Sequence, residues 1–126
     1  MANFGIEISK YLDIPVVTLT GEIDISSLEQ MGEKEKEIGN VSAVVFDLSK
    51  ATYCDSICVK WIMSWLINHN VNRLIVVVSP DFRKIFKISE MDKYVALCDD
   101  ISSAHSLLEK YKQFEKLEQP PSPWHN

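Results

Sequence analysis

At 126 residues, with 46% hydrophobic and 25% charged side chains, the chain has the composition of one ordinary globular domain, with room for a core and too little length for two. A net charge of −5 argues against the basic patch that nucleic-acid binding requires, so no nucleic acid is expected as a partner. The longest apolar run, around Ile57 to Ile67, is broken by Lys60 and is too short to span a bilayer, so no membrane insertion is expected.

The first residues, Met1-Ala2-Asn3-Phe4, lack a basic stretch leading into an apolar run, and no signal peptide is expected. Phe4, Ile6 and Ile8 then alternate with Gly5 and Glu7 at the period of a half-buried strand. Val16-Val17-Thr18-Leu19-Thr20 predicts a second strand, with Asp13-Ile14-Pro15 in or near the turn between them. Their closeness in sequence favours an antiparallel pair, and Gly21-Glu22-Ile23-Asp24 ends the sheet edge. Ser26, followed three residues later by Glu29, has the spacing of a capping box at a helix start. Leu28, Met31 and Ile38 supply its apolar stripe, Glu33-Lys34-Glu35-Lys36-Glu37 a water-facing side, and Gly39 a stop.

Val41 to Leu48 and Leu74 to Val78 are apolar without alternation, the mark of parallel strands covered on both faces. Helices are predicted from about Ser56 to Asn68 and from Pro80 to Ile88, and Tyr94–Cys98 is a short last strand. Ile101, Ala104, Leu107, Leu108, Tyr111 and Phe114 recur at helical spacing, with Asp99 or Asp100 as the cap. The order β-β-α-β-α-β-α-β-α specifies an α/β fold, a mixed β-sheet with helices packed on it. Residues 1–117 make up this domain, and 118–126 form a Pro-rich mobile C-terminal tail.

Several short patterns fall on these elements in order: Val16–Asp24 as an apolar strand ending Gly-Glu-Ile-Asp, Val44-Val45-Phe46-Asp47-Leu48-Ser49, Asp55-Ser56, and Phe86–Met91. Together they resemble a STAS domain, the family of anti-sigma factor antagonists and related domains. The resemblance covers Phe4 to about Leu108. It implies an STAS-like α/β fold and a protein that binds through its surface, performs no chemistry and takes no cofactor. It further implies that Ser56 is the phosphoacceptor of a serine kinase, which in the family is often the anti-sigma factor itself. Asp24, Asp55, Ser56 and Ile57 are then the partner-binding residues, in a cytoplasmic protein, with a homodimer left open. The chain departs from the family pattern at Ile57 and Cys58, which replace a small hydroxyl residue and glycine, and at Glu90, which stands where glycine is usual. Ile57 and Cys58 favour an alternative, an unphosphorylated STAS subunit of a transporter or stress-signalling assembly.

The residues themselves admit plainer roles. Ser56 reads as a helix N-cap whose hydroxyl bonds a backbone N–H, with or without a switch. A phosphate there adds about −1.5 to −2 charge, favoured by the helix N-terminus and opposed by Asp55. Asp47 reads as structural. Cys54, Cys58 and Cys98 are an odd set without a secreted-scaffold or zinc spacing, so reduced thiols and no metal site are expected. Trp61 and Trp65, four apart, are either a core stripe or an exposed binding anchor.

Overall fold

The computed structural model describes residues 3–118. Five strands and four helices occur in the expected order: β1 Phe4–Tyr11, β2 Ile14–Ile23, α1 Leu28–Ile38, β3 Ala43–Cys54, α2 Ser56–Asn68, β4 Arg73–Val77, α3 Pro80–Ile88, β5 Ala96–Cys98 and α4 Ile101–Glu118. The sheet order is β1-β2-β3-β4-β5, with β1 antiparallel to β2 and the remaining pairs parallel. The tail expected over 118–126 lies outside the described residues, except for Glu118, which ends α4.

Alternation along the apolar strands explains why they carry no polar face. Val17, Leu19, Val44, Phe46, Leu48 and Val76 point to one side, where Met31, Ile62, Trp65 and Phe86 of α1, α2 and α3 pack on them. Their neighbours Val16, Val45, Ile75 and Val77 point to the other side, against Ala104 and Leu108 of α4. A strand covered on both faces has no side to give to water.

Trp61 and Trp65 belong to the first core. Trp65 is fully buried, and both indoles meet the Phe46 ring edge-on, with centroids 5.2 and 5.3 Å away. The exposed-anchor alternative for this pair is therefore removed. Trp61 Nε1 donates to Glu35 at 3.1 Å, and the other Glu35 oxygen lies 2.7 Å from His69 Nε2. Glu35 is thus not part of a purely water-facing side of α1: it turns inward because an indole N–H at the core margin needs an acceptor.

Three boundaries differ from expectation. The β1–β2 turn is Leu12-Asp13, both at positive φ (53° and 65°), the geometry that matches strand twist in a tight hairpin. Ile14 and Pro15 belong to β2, because Ile14 is buried in the second core. β3 runs on through Ser49 to Cys54, pairing Lys50 with Thr20 and Tyr53 with Glu22, across two register shifts that each place one extra residue in β3. β5 begins at Ala96 rather than Tyr94, since the Tyr94 N–H closes a turn onto Met91. Of the two cap candidates for α4, Asp100 takes the role, its carboxylate accepting from Ser103 N at 2.7 Å.

Gly21 and Glu90 both have a left-handed backbone, and only the first holds glycine. Gly21 has φ 78°, and a Cβ there would stand 1.4 Å from the Asn3 carbonyl oxygen, which accepts from Glu22 N. Glu90, just past the end of α3, has φ 62°. A left-handed L-residue costs about 1–2 kcal/mol, part of which glycine returns as unfolded-state entropy. The exposed Lys93–Glu90 ion pair offsets little of that strain. Glu90→Gly is expected to stabilise the fold by about 0.5–1 kcal/mol in urea melts, and Gly21→Ala to destabilise it by about 2 kcal/mol or more.

Candidate functional site

β2 and β3 end side by side, with Ile23 opposite Cys54 in parallel register. Each strand is succeeded by an aspartate in extended conformation, Asp24 at φ −141° and Asp55 at φ −125°. Each aspartate caps the helical turn next in the chain. Asp24 Oδ1 accepts from Ser26 N at 2.9 Å and opens a short 3-10 turn, Ile25–Ser27, ahead of α1. Asp55 Oδ1 accepts from Ile57 N at 3.0 Å and opens α2. Two helix starts therefore leave the same edge of the sheet next to each other.

The capping box expected at Ser26 and Glu29 is displaced. Asp24 pairs instead with Ser27, whose Oγ accepts from Asp24 N at 3.3 Å and donates to Glu22 O at 3.1 Å. Ser27 is buried by these bonds. The turn starts earlier because the β2 ladder stops at Ile23, and the first freed backbone donors fall to Asp24.

Ser56 is not the cap of α2. Asp55 is, and Ser56 is the first helical residue, exposed to solvent, with no hydrogen-bond partner for its hydroxyl among the described residues. An ionised carboxylate in the extended cap position accepts more strongly than a hydroxyl one residue later, inside the helix. Ile57 is half-buried and Cys58 fully buried, so the side chains that depart from the family pattern turn toward the interior.

The structure brings Asp24, Asp55, Ser56 and Ile57 to one end of the sheet. Tyr53, to which the sequence assigned no role of its own, joins them. It is 47% exposed, its hydroxyl lies 3.4 Å from Asp55 Oδ2, and its phenol is held above the ordinary tyrosine range. The largest cause is the Asp55 charge, and the Asp24 charge adds to it. One side chain thus senses both capping carboxylates. Beside it opens a groove of about 460 Å³ between α2 and α3, lined by Ser56, Val59, Lys60, Ile85 and Ile88 among others. Ile25 and Ile88 are each 72% exposed. Ile25 directly follows Asp24 and Ile88 lines the groove, so exposed apolar side chains flank the two strand ends.

Asp47 is buried, and its carboxylate accepts from Ser49 N at 3.0 Å inside β3, the structural role expected of it. Both site aspartates are occupied in capping. Among the described residues no group of three His, Cys, Asp or Glu could hold a metal ion, and no helix is long and apolar enough to cross a membrane.

Comparison with known proteins places this arrangement in a family. The family model described as "Mlab, STAS domain" matches residues 7–99. Among solved structures, an anti-sigma factor antagonist from Mycobacterium paratuberculosis is 17% identical with a TM-score of 0.72, over 85% of this chain and 95% of that one. The anti-sigma factor antagonist SpoIIAA in its unphosphorylated form is 19% identical with a TM-score of 0.63, over 83% and 97%. The Bacillus cell fate determinant SpoIIAA in its phosphorylated form is 18% identical with a TM-score of 0.59, over 82% and 99%. At these identities the structures show a shared fold alone. No curated protein matches the sequence.

The capping geometry sets the stability of the two neighbouring positions apart. Asp55→Ala is expected to cost about 0.5–2 kcal/mol by removing the acceptor for Ile57 N. Ser56→Ala is expected to change stability by less than about 0.5 kcal/mol, since no bond is lost. Urea unfolding of the two variants beside the parent chain measures both.

Proposed function

The chain belongs to the STAS domain family, and from that premise we propose that it is a non-catalytic protein-binding module, an anti-sigma factor antagonist switched by phosphorylation of Ser56. One observation carries this reading: Asp55 performs the capping, which leaves the exposed Ser56 hydroxyl free at the start of α2. A hydroxyl engaged in the cap could be given to a kinase only by weakening the helix. This one can be modified without loss of a hydrogen bond.

The unmodified face, with Asp24, Asp55, Ser56, Ile57 and the exposed Ile25, Tyr53 and Ile88 around them, captures a serine-kinase anti-sigma factor in the cytoplasm and releases the sigma factor. Aromatic and aliphatic side chains ringed by polar groups have the make-up of interface anchors. Phosphorylation then acts on the same face. The amides of the α2 N-terminus and Lys60, one turn along, favour the added charge, so the fold tolerates it. Association does not, because a dianion must be stripped of water when the partner closes over it. About 2.7 kcal/mol of lost binding weakens the complex roughly a hundredfold.

A second reading, an unphosphorylated STAS subunit of a transporter or stress-signalling assembly, is favoured by the description of the matching family model, which names Mlab rather than an antagonist. The two readings part at Ser56. Incubation with the kinase-type anti-sigma factor of the same genome and ATP is expected to add one phosphate, located on Ser56 by peptide mass and absent from Ser56→Ala. Ser56→Glu is expected to melt like the parent chain and to bind that partner at least about a hundredfold more weakly in calorimetric titration. Failure of a kinase active on another substrate to modify Ser56, together with equal binding by Ser56→Glu, would leave the second reading in place.

A further inference from the structure

The α4 side of the sheet carries a pocket that the reading above does not use. It holds about 330 Å³ between β4, β5 and the Leu107–Phe114 stretch of α4. It reaches the N-terminal end of β4, whereas the candidate site lies at the C-terminal ends of β2 and β3. Its floor is Ile75 and Leu108, both buried in the second core. Ala96, the β5 partner of Ile75, leaves the space open, having only a methyl group to set against α4. Tyr94, Leu107 and Phe114 stand exposed around the mouth. Arg73 and Lys110 are the charged residues of the lining, and no Asp or Glu lines it.

We propose that this pocket binds a single-chain amphipathic carboxylate, a fatty acid of medium length, with its tail inward and its head between Arg73 and Lys110. The apolar floor and mouth take the alkyl chain. A volume at the low end of small-molecule sites accommodates one such chain and excludes the paired chains of a membrane lipid. Charge assigns the head. The Arg73 guanidinium lies 4.9 Å from the centre of the Tyr111 ring, which holds it at the mouth by its face and leaves its edge N–H donors for a carboxylate. Lys110 meets no acid on its own helix, because Ser106, Leu107, Gln113 and Phe114 are the residues three and four positions away. Among the described residues neither cation forms an ion pair. Two such cations at an apolar pocket, in a chain of net charge −5, match a ligand with one anionic end and one apolar end. The pocket is separate from the Ser56 surface, so the proposal stands whether or not Ser56 is phosphorylated.

The plainer alternative is a gap left where α4 does not cover a short edge strand, open to any apolar solute. Calorimetric titration of the full chain with octanoate, below its micellar concentration, separates the two. Octanoate is expected to bind and hexanoate to bind more weakly, with about fourfold in affinity per methylene. Octanol, with the same chain and no charge, is expected to bind at least about fivefold more weakly than octanoate. Arg73→Gln and Lys110→Gln, both at exposed positions, should each weaken octanoate about two- to fivefold and leave octanol unchanged. Ala96→Phe fills the pocket and is expected to abolish binding of both, with a thermal melt showing that the variant is folded. Amide NMR of the parent chain should place the octanoate shifts at Arg73–Ile75, Ala96 and Leu107–Phe114. Equal affinity for octanol and octanoate, shifts confined to other segments, or no octanoate binding would overturn the proposal, as would binding retained by folded Ala96→Phe. Association with anionic phospholipid vesicles without any response to octanoate would overturn it too, by marking a membrane-facing patch instead.

Discussion

Ile23 and Cys54 stand opposite each other at the ends of parallel strands, and the position of every residue in the candidate site derives from that pairing. Both ladders stop there, and each stop frees backbone donors that an aspartate must take up. Asp24 and Asp55 do so in the same way, each in extended conformation with one carboxylate oxygen on an N–H two residues ahead. Parallel pairing is the reason the two caps are neighbours. Had β2 and β3 been antiparallel, Asp24 and Asp55 would lie at opposite ends of the sheet, and the Tyr53 phenol would sense one charge rather than two.

The packing behind the strand ends holds them in place. Phe46 of β3 takes Trp61 and Trp65 of α2 edge-on, so the helix that begins at Ser56 is pinned to the same strand that delivers it. Aromatic contacts of this geometry add about 0.5–1.5 kcal/mol each beyond the burial of area. Glu35 and His69 close the margin of that cluster and bind α1 to the far end of α2. The two helices that start beside each other are therefore also tied together away from the site. A rigid mount of this kind lets an exposed hydroxyl be offered at constant position, and lets a charge placed there act on a partner rather than on the fold.

Most of the architecture was legible because apolar continuity reports burial on both faces directly. Val44-Val45-Phe46 and Leu74–Val78 could belong only to covered strands, and the helical spacing from Ile101 to Phe114 located α4. The site residues Asp24, Asp55 and Ser56 were legible through the resemblance, but the division of labour among them was not. Asp24, Ser26, Ser27, Asp55 and Ser56 all carry oxygens able to cap, and which ones do depends on where the ladders end, a tertiary fact. The same limit hid the length of β3: Ser49, Lys50 and Thr52 are polar, and they stay in the sheet because β3 takes up two extra residues against β2 and keeps its pairing to Cys54. Tyr53 and Ile88 were missed because nothing in a sequence distinguishes an apolar side chain left outside from one taken in. Glu35 was misjudged for the converse reason, since its inward turn is dictated by an indole 26 residues away.

The central claim is that the Asp24 turn and the start of α2 act as one partner surface while the α4 face of the sheet takes no part. Backbone amide NMR of the labelled chain, titrated with the kinase-type anti-sigma factor, tests it most directly. The account predicts that the amides of Ile23–Ser27 and of Tyr53–Val59 shift together with one dissociation constant, and that those of Ala104–Tyr111 stay unchanged. Shifts concentrated on α4, or changes in only one of the two strand-end segments, would contradict it.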